Sequence, residues 1–179
     1  GALSNFKQIW LHPDLEWEQE VHTRLLWQEP GHFKWIPEHV KNGKLNNEAQ
    51  LVHLCGHYAH QHTFLKWFWL VDIFEFLSVV APTLNFAKVQ QIAKDIKVKK
   101  SVVLTVALCD REFETNFSSL LPQGSSIDQQ LLRQITPEFL NDPQRYRWKY
   151  FKIKHLIKDE FKESLMYDFF WLTRKFYGH

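Results

Sequence analysis

Polar and apolar residues alternate along residues 15–26, a pattern that predicts a half-buried β-strand. The polar positions carry three acids, a histidine and an arginine: Glu16, Glu18, Glu20, His22 and Arg24. A lone strand is not stable in water, because its backbone groups and apolar face need partners. We therefore expect this strand to pair either with residues near 6–11 or with strands upstream of this chain.

Apolar residues recur at helical spacing along most of the remaining chain. Proline and asparagine mark the expected helix ends, because proline cannot continue a helix and asparagine caps its first turn. Residues 28–46, rich in Pro, Gly and Asn, are predicted to form a loop. The predicted helices are 48–58, 63–80, 85–97 capped by Asn85, 99–113, a short one from Ser125 or Ser126 to Ile135, one starting at Thr136-Pro137, and 144–176 with at most one break.

These elements predict a mainly α-helical fold, a helical domain of about six helices with a small N-terminal β element. The chain has 179 residues and 45% hydrophobic residues, enough for one domain with a core. We divide it into residues 1–45, the β element and loop, and residues 46–179, the helical domain. The chain opens directly into strand-like sequence, so we expect it to be a fragment of a longer α+β protein.

Composition excludes several classes of protein. A net charge of +2 gives no reason to expect a nucleic-acid partner. Two cysteines form no disulfide framework, and the N-terminus has no secretory signal, so we expect a cytoplasmic protein. The most apolar run, residues 64–80, carries Lys66, Asp72 and Glu75, which predicts a buried helix rather than a transmembrane segment.

Four segments of the chain carry a recognisable order and spacing. They are Glu20-Val-His-Thr-Arg-Leu25; Leu51-Val-His-Leu-Cys-Gly-His57 with His60, His62 and Leu65-Lys-Trp-Phe-Trp-Leu-Val-Asp72; the helix start at Thr83-Leu-Asn-Phe-Ala; and the apolar run 101–108 before Cys109-Asp-Arg-Glu112. Together they resemble the bacterial uncharacterised nucleotidyltransferase family, a branch of the DNA polymerase beta-like superfamily. Thr23 departs from that pattern, which has an aromatic residue there, and the histidine spacing matches loosely.

The resemblance implies transfer of a nucleotidyl group from a nucleoside triphosphate to an acceptor hydroxyl, assisted by Mg²⁺ held by three carboxylates. Such enzymes carry a Gly-Ser turn and then Asp-x-Asp, and this sequence has no Asp-x-Asp. The resemblance is therefore to the C-terminal part of the family, with Glu20 as the third metal carboxylate and His22 beside it in the catalytic set. The alternatives are that Glu18 takes this role or that the acids belong to a solvated strand face. One carboxylate cannot hold two hard cations, so we expect this chain alone to be inactive.

The resemblance also places Arg24 and Lys66 at the substrate. Lys66 could reach a triphosphate as a point charge. The alternative is that Lys66-Trp67 and Trp69 belong to the core and to helix packing.

The histidines suggest a second kind of site. His53, His57 and His60 are spaced by four and three residues, so on a regular helix they share a face, and paired histidines on a helix can bind zinc. Asp72 is the candidate further ligand. The alternative is a hydrogen bond between His57 and Asp72 that holds two packed helices together.

The region around 145–176 interleaves lysine and arginine with aromatic residues. This composition suits nucleic acid or an anionic membrane surface, but acidic residues dilute it: Asp159, Glu160, Glu163 and Asp168. An amphipathic helix that packs on the core with a solvated basic face is the commoner outcome. A non-catalytic helical module that binds a partner protein is the alternative to the nucleotidyltransferase hypothesis.

Overall fold

The N-terminal β element is an antiparallel pair of strands in the computed structural model of the chain. β1 (Lys7–Leu11) pairs with β2 (Glu18–His22), and Ile9 lies opposite Glu20. The alternating strand thus finds its partner near residues 6–11, one of the two expected arrangements. The structure describes residues 7–11, 18–22, 39–41, 44–122, 127–141 and 145–160, together with Lys162, Ser164, Leu165 and Phe169.

A second short β pair lies within the region predicted as loop. β3 (Val40–Lys41) pairs antiparallel with β4 (Lys44–Leu45), so the loop prediction is wrong at these positions. The sequence Asn42-Gly43 between them is a strong hairpin signal, because both residues tolerate the positive φ of tight turns. Asn46 N–H donates to His39 C=O (2.8 Å), which ties this hairpin to the start of the first helix.

The first two helices are joined by an irregular turn. α1 (Asn47–Gly56) begins where predicted, because the Asn46 side chain accepts a hydrogen bond from Ala49 N–H (2.9 Å). A π-helical turn, His57–Gln61, follows. α2 (Trp67–Val80) starts four residues later than predicted.

The late start of α2 has a backbone cause. Thr63, Phe64 and Lys66 have positive φ angles of 49°, 60° and 72°, which do not belong to a right-handed helix. The buried Tyr58 hydroxyl donates to Phe64 C=O (2.9 Å), and Phe64 N–H donates to Tyr58 C=O (3.1 Å). These bonds hold the turn in its non-helical conformation.

The next two helices confirm the predictions. α3 (Phe86–Asp95) starts after Asn85, whose side chain accepts from Lys88 N–H (3.1 Å). α4 (Lys99–Phe113) is buried along its whole run from Ser101 to Cys109. It packs against α1, α2 and α3 and is the central helix of the fold.

The C-terminal helices differ from the prediction in detail. α5 (Gln129–Gln134) is capped by Asp128, whose carboxylate accepts from Leu131 N–H (2.8 Å), so a cap by Ser125 or Ser126 is wrong. α6 (Pro137–Asn141) follows Thr136 as predicted, whereas Asp142-Pro143 lies outside the described residues. The predicted long helix is broken: α7 (Arg147–Leu156) ends before a turn at 157–160.

The fold class is confirmed: within the described residues seven α-helices follow two small β pairs. α2 is not buried on all sides, because Leu70, Ile73 and Leu77 face the core while Phe68 and Val79 are exposed. None of the described helices has the length and apolarity needed to span a membrane. The division at residues 45 and 46 stays a prediction. Among the described residues, the largest fully buried side chains are Tyr58, Phe64, Phe139, Leu51, Leu70, Ile73, Leu77, Ile92, Ile96, Leu104 and Leu108.

Candidate functional site

Strand β2 carries the candidate catalytic residues. Glu18, Glu20 and His22 occupy alternate positions and therefore belong to one face of the strand. Within the described part of the chain β2 is paired along one edge, with β1. Its other edge offers backbone groups to a further strand. Arg24 lies outside the described residues.

A cluster of three histidines and a tryptophan lies where the π-helical turn meets α2; we call it the histidine–tryptophan cluster (His53, His57, His62 and Trp69). The Nε2 atoms of His57 and His62 are 3.0 Å apart, a hydrogen-bond distance. The Trp69 ring stacks on His62 at 5.2 Å between centroids and meets the edge of His57 at 5.1 Å. The His53 ring lies 5.8 Å from that of His57.

The π-helical turn explains why His62, and not His60, joins His57. A π turn is wider than an α turn and bonds residue i to residue i+5, so the side chain five positions after His57 comes close to it. Regular helical spacing would bring His60 next to His57. The prediction that His57 and His60 share one face of a helix is therefore wrong. Burial and the positive charge of Lys66 lower the pKa of His62, which favours the neutral ring next to His57.

His60 points instead to the buried start of α4. Its Nε2 lies 2.8 Å from Ser101 Oγ, and both residues are buried. Burial, with a smaller contribution from the positive charge of Lys158, lowers the pKa of His60 to about 3. A neutral histidine in this position serves packing and hydrogen bonding between the π turn and α4.

Asp72 does not join the histidines. It is exposed on α2, and in the described residues no hydrogen bond connects it to His57, so the expected helix-to-helix bond is wrong. Nowhere in the part of the chain that the structure describes do three His, Cys, Asp or Glu side chains come together in a way that could hold a metal ion. The geometry therefore gives the zinc set His53, His57, His60 and Asp72 no common centre.

Lys66 is exposed at the start of α2, where no side chain caps the first turn. Its Nζ lies 5.8 Å from the centroid of the Phe68 ring, within reach of a weak cation–π contact. Trp67 and Trp69 are partly buried against the core, as the packing alternative predicted. Lys66 itself stays available to an anion at a helix N-terminus, where backbone N–H groups and the helix dipole favour negative charge.

The Asp110-Arg111 pair has a structural role that we did not predict from the sequence. The Asp110 carboxylate accepts hydrogen bonds from Thr115 Oγ1 (2.9 Å), Phe117 N–H (2.6 Å) and Ser118 N–H (2.8 Å). It thereby shapes the turn that leaves α4. The hydroxyl-bearing residues after an aspartate at a helix end are a local signal for such a turn.

Arg111 connects the end of α4 to the next helices. Its guanidinium donates to Leu132 C=O (2.8 Å) and Ile135 C=O (2.5 Å), carbonyls at the C-terminal end of α5. An arginine is suited to this, because its fork of donors can satisfy two acceptors at once. No sequence pattern predicts these hydrogen bonds, because they depend on how α5 packs against α4.

The comparisons agree with the segments described above. A model of the uncharacterised nucleotidyltransferase family matches residues 8–114, more than half of the chain. The matched region runs from β1, through β2 and the histidine–tryptophan cluster, to the end of α4. No curated protein and no solved structure gives a match. The chain belongs to the uncharacterised nucleotidyltransferase family.

Proposed function

We propose that this chain is the C-terminal part of a metal-dependent nucleotidyltransferase, which transfers a nucleotidyl group from a nucleoside triphosphate to an acceptor hydroxyl. The observation that carries the proposal is the family match over residues 8–114, which includes β2 and Glu20. Glu20 is the third metal carboxylate of the proposed site, with His22 on the same face of the strand.

The edge of β2 that is unpaired within the described residues supports this assignment, because the strand with the missing carboxylates would pair there. The sequence supplies no Asp-x-Asp, and the described residues form no three-ligand cluster. These residues therefore do not hold Mg²⁺ by themselves. In the proposed enzyme the ion would be shared between Glu20 and two aspartates from outside these 179 residues.

The helices contribute to the triphosphate side of the proposed site. Lys66 is an exposed cation at a helix start whose first turn has no side-chain cap. That combination favours a phosphate group electrostatically, and Arg24 would add a second cation close to Glu20 in sequence. The turn before α2 is held in a fixed non-helical shape, which would keep Lys66 in place without a cost in ordering on binding.

A non-catalytic module that binds a partner protein is the alternative, and exposed apolar residues favour it. Phe68 is 53% exposed and Val79 is 77% exposed, both on α2. Both lie on the side of α2 opposite its buried residues, so a docked protein would remove apolar surface from water. A catalytic sheet docked on the chain in the intact enzyme could cover the same side chains, so exposure alone does not separate the two functions.

A measurement of pyrophosphate release distinguishes the nucleotidyltransferase from the binding module. The chain is expressed alone and together with its natural upstream sequence, and each form is incubated with Mg²⁺, each of the four nucleoside triphosphates and a heat-treated cell extract that supplies acceptor hydroxyls. We expect release from the longer form, provided that it contains Gly-Ser and Asp-x-Asp, and none from the 179 residues alone. Transfer by the 179 residues alone would contradict the proposed division of the site. An upstream sequence without those motifs would favour the binding module.

A further inference from the structure

The outward side of α7 combines aromatic and basic side chains. Trp148 is 86% exposed and Phe151 is 52% exposed. At 3.6 residues per turn the order around the helix is Arg147, Phe151, His155, Trp148, Lys152, so the two aromatic rings, with the half-buried His155 between them, lie between two exposed cations. Leu156, 40% exposed, continues the row that starts at Trp148. We call the five exposed residues the outer face of α7 (Arg147, Trp148, Phe151, Lys152 and Leu156).

The outer face has no negative charge of its own. α7 contains no acidic residue, and within the described residues neither Arg147 nor Lys152 has an ion-pair partner. Of the acids that follow α7, the two that the structure describes are engaged elsewhere: the Glu160 carboxylate pairs with Lys97 Nζ (3.0 Å), and Asp159 accepts from the backbone N–H groups of Lys99 and Lys100. The face is therefore complementary to an anionic surface.

We propose that the outer face of α7 binds the surface of an anionic lipid bilayer. Trp148 and Phe151 would enter the boundary between headgroups and acyl chains, where aromatic side chains are favoured. Arg147 and Lys152, one on each side of the rings, would remain at the level of the lipid phosphates. Helices that lie on membranes carry this combination of a narrow apolar strip and flanking cations.

Two observations favour a bilayer over single-stranded nucleic acid. Proteins that bind single strands line a groove with successive aromatic rings on which bases stack. Here the Phe151 ring already packs against His155, with 4.3 Å between centroids, which leaves Trp148 as the freely accessible ring of the face. Leu156 offers no stacking surface, whereas an aliphatic side chain inserts readily among acyl chains.

Sedimentation with vesicles tests the proposal on the complete chain. Vesicles of phosphatidylcholine alone are compared with vesicles that also contain phosphatidylglycerol, and bound protein is measured in the pellet. We expect binding to the anionic vesicles only. Replacing both cations, Arg147→Gln with Lys152→Gln, should weaken binding about 30-fold, or about 2 kcal/mol at about 1 kcal/mol per cation. Trp148→Ala with Phe151→Ala should weaken it by about tenfold or more.

Two matched double variants serve as controls. Lys94→Gln with Arg133→Gln removes the same net charge from exposed positions on α3 and α5, and Phe68→Ala with Val79→Ala removes exposed apolar groups from α2. Both should bind within about threefold of the unchanged chain, because neither pair touches the outer face. Circular dichroism confirms that every variant is folded.

Three results would overturn the proposal. The first is the absence of binding to anionic vesicles. The second is an equal loss of binding in the control variants, which would indicate a nonspecific effect of charge or apolarity. The third is binding of a labelled single-stranded RNA oligonucleotide that depends on the same residues, while the vesicles are not bound.

Discussion

His60 is a buried histidine that should make the stability of the fold depend on pH. It lies between the π-helical turn and α4, next to Ser101 Oγ, with Lys158 as the nearby charged group. Its pKa falls from 6.5 to about 3 on folding, because burial disfavours the charged ring. The folded protein therefore leaves His60 neutral at pH values where the unfolded chain protonates it.

The sign and size of the effect follow from linkage. Below the ordinary pKa of 6.5 the unfolded state binds a proton that the folded state does not bind, so stability falls as the pH falls. From about pH 7.5 to about pH 5, this single group should lower the free energy of unfolding by about 2 kcal/mol. The result is insensitive to the folded pKa, provided that this value lies well below 5.

Urea denaturation of the chain and of His60→Gln, followed by circular dichroism across this pH range, measures the contribution. His62 has a lowered pKa as well and contributes in the same direction, so the relevant quantity is the difference between the two proteins. We expect the unchanged chain to lose about 2 kcal/mol more than His60→Gln on acidification. Ser101→Ala retains the buried imidazole and should retain the pH dependence.

Parallel pH profiles of the unchanged chain and His60→Gln would refute this reasoning. Such profiles would mean that His60 can be protonated in the folded protein. The assignment of a purely structural role to His60 would then fail.

The carboxylates at the two ends of α4, Asp159 and Asp110, give two further stability predictions. Both are measured by urea denaturation, with substitution of the exposed Asp95 by alanine as the control. Asp110→Ala should cost about 3 kcal/mol, because it removes the acceptor of three hydrogen bonds, and Asp110→Asn should cost less since one oxygen remains. Asp159→Ala should lower the free energy of unfolding by about 1–2 kcal/mol, because it removes the carboxylate that accepts two hydrogen bonds (2.7 and 2.9 Å) from the first turn of α4. Burial of this carboxylate, which raises the pKa of Asp159, offsets part of the stability that the two bonds contribute. If either variant lost no more stability than Asp95→Ala, the stabilising role proposed for that carboxylate would be contradicted.

Local signals predicted most of the helical fold. Asn85 starts α3 as expected, α1 begins within one residue of its expected start, and the apolar run of α4 is buried as expected, because capping and periodicity depend on nearby residues. The start of α2 was missed because Tyr58 and Phe64 hold a turn with positive φ angles, and no propensity rule signals that hydrogen bond.

The candidate site was less predictable. Helical spacing grouped His57 with His60, but the π turn brings His57 to His62, and a single extra residue per turn is not visible in the sequence. The capping of α4 by Asp159 joins residues about sixty positions apart and depends on how α7 packs. Glu20 was placed by the resemblance to the family, and β1 provides the pairing that its strand needs.

The role of Glu20 is the central claim, and a single substitution in the proposed longer enzyme tests it most directly. Nucleotidyl transfer is measured for the unchanged enzyme, for Glu20→Gln and for Glu18→Gln, the neighbouring acid on the same face of β2. We predict a loss of about 100-fold or more for Glu20→Gln, of the order expected when one electrostatic group of a catalytic site is removed, and little change for Glu18→Gln. Unchanged transfer by Glu20→Gln would contradict the account.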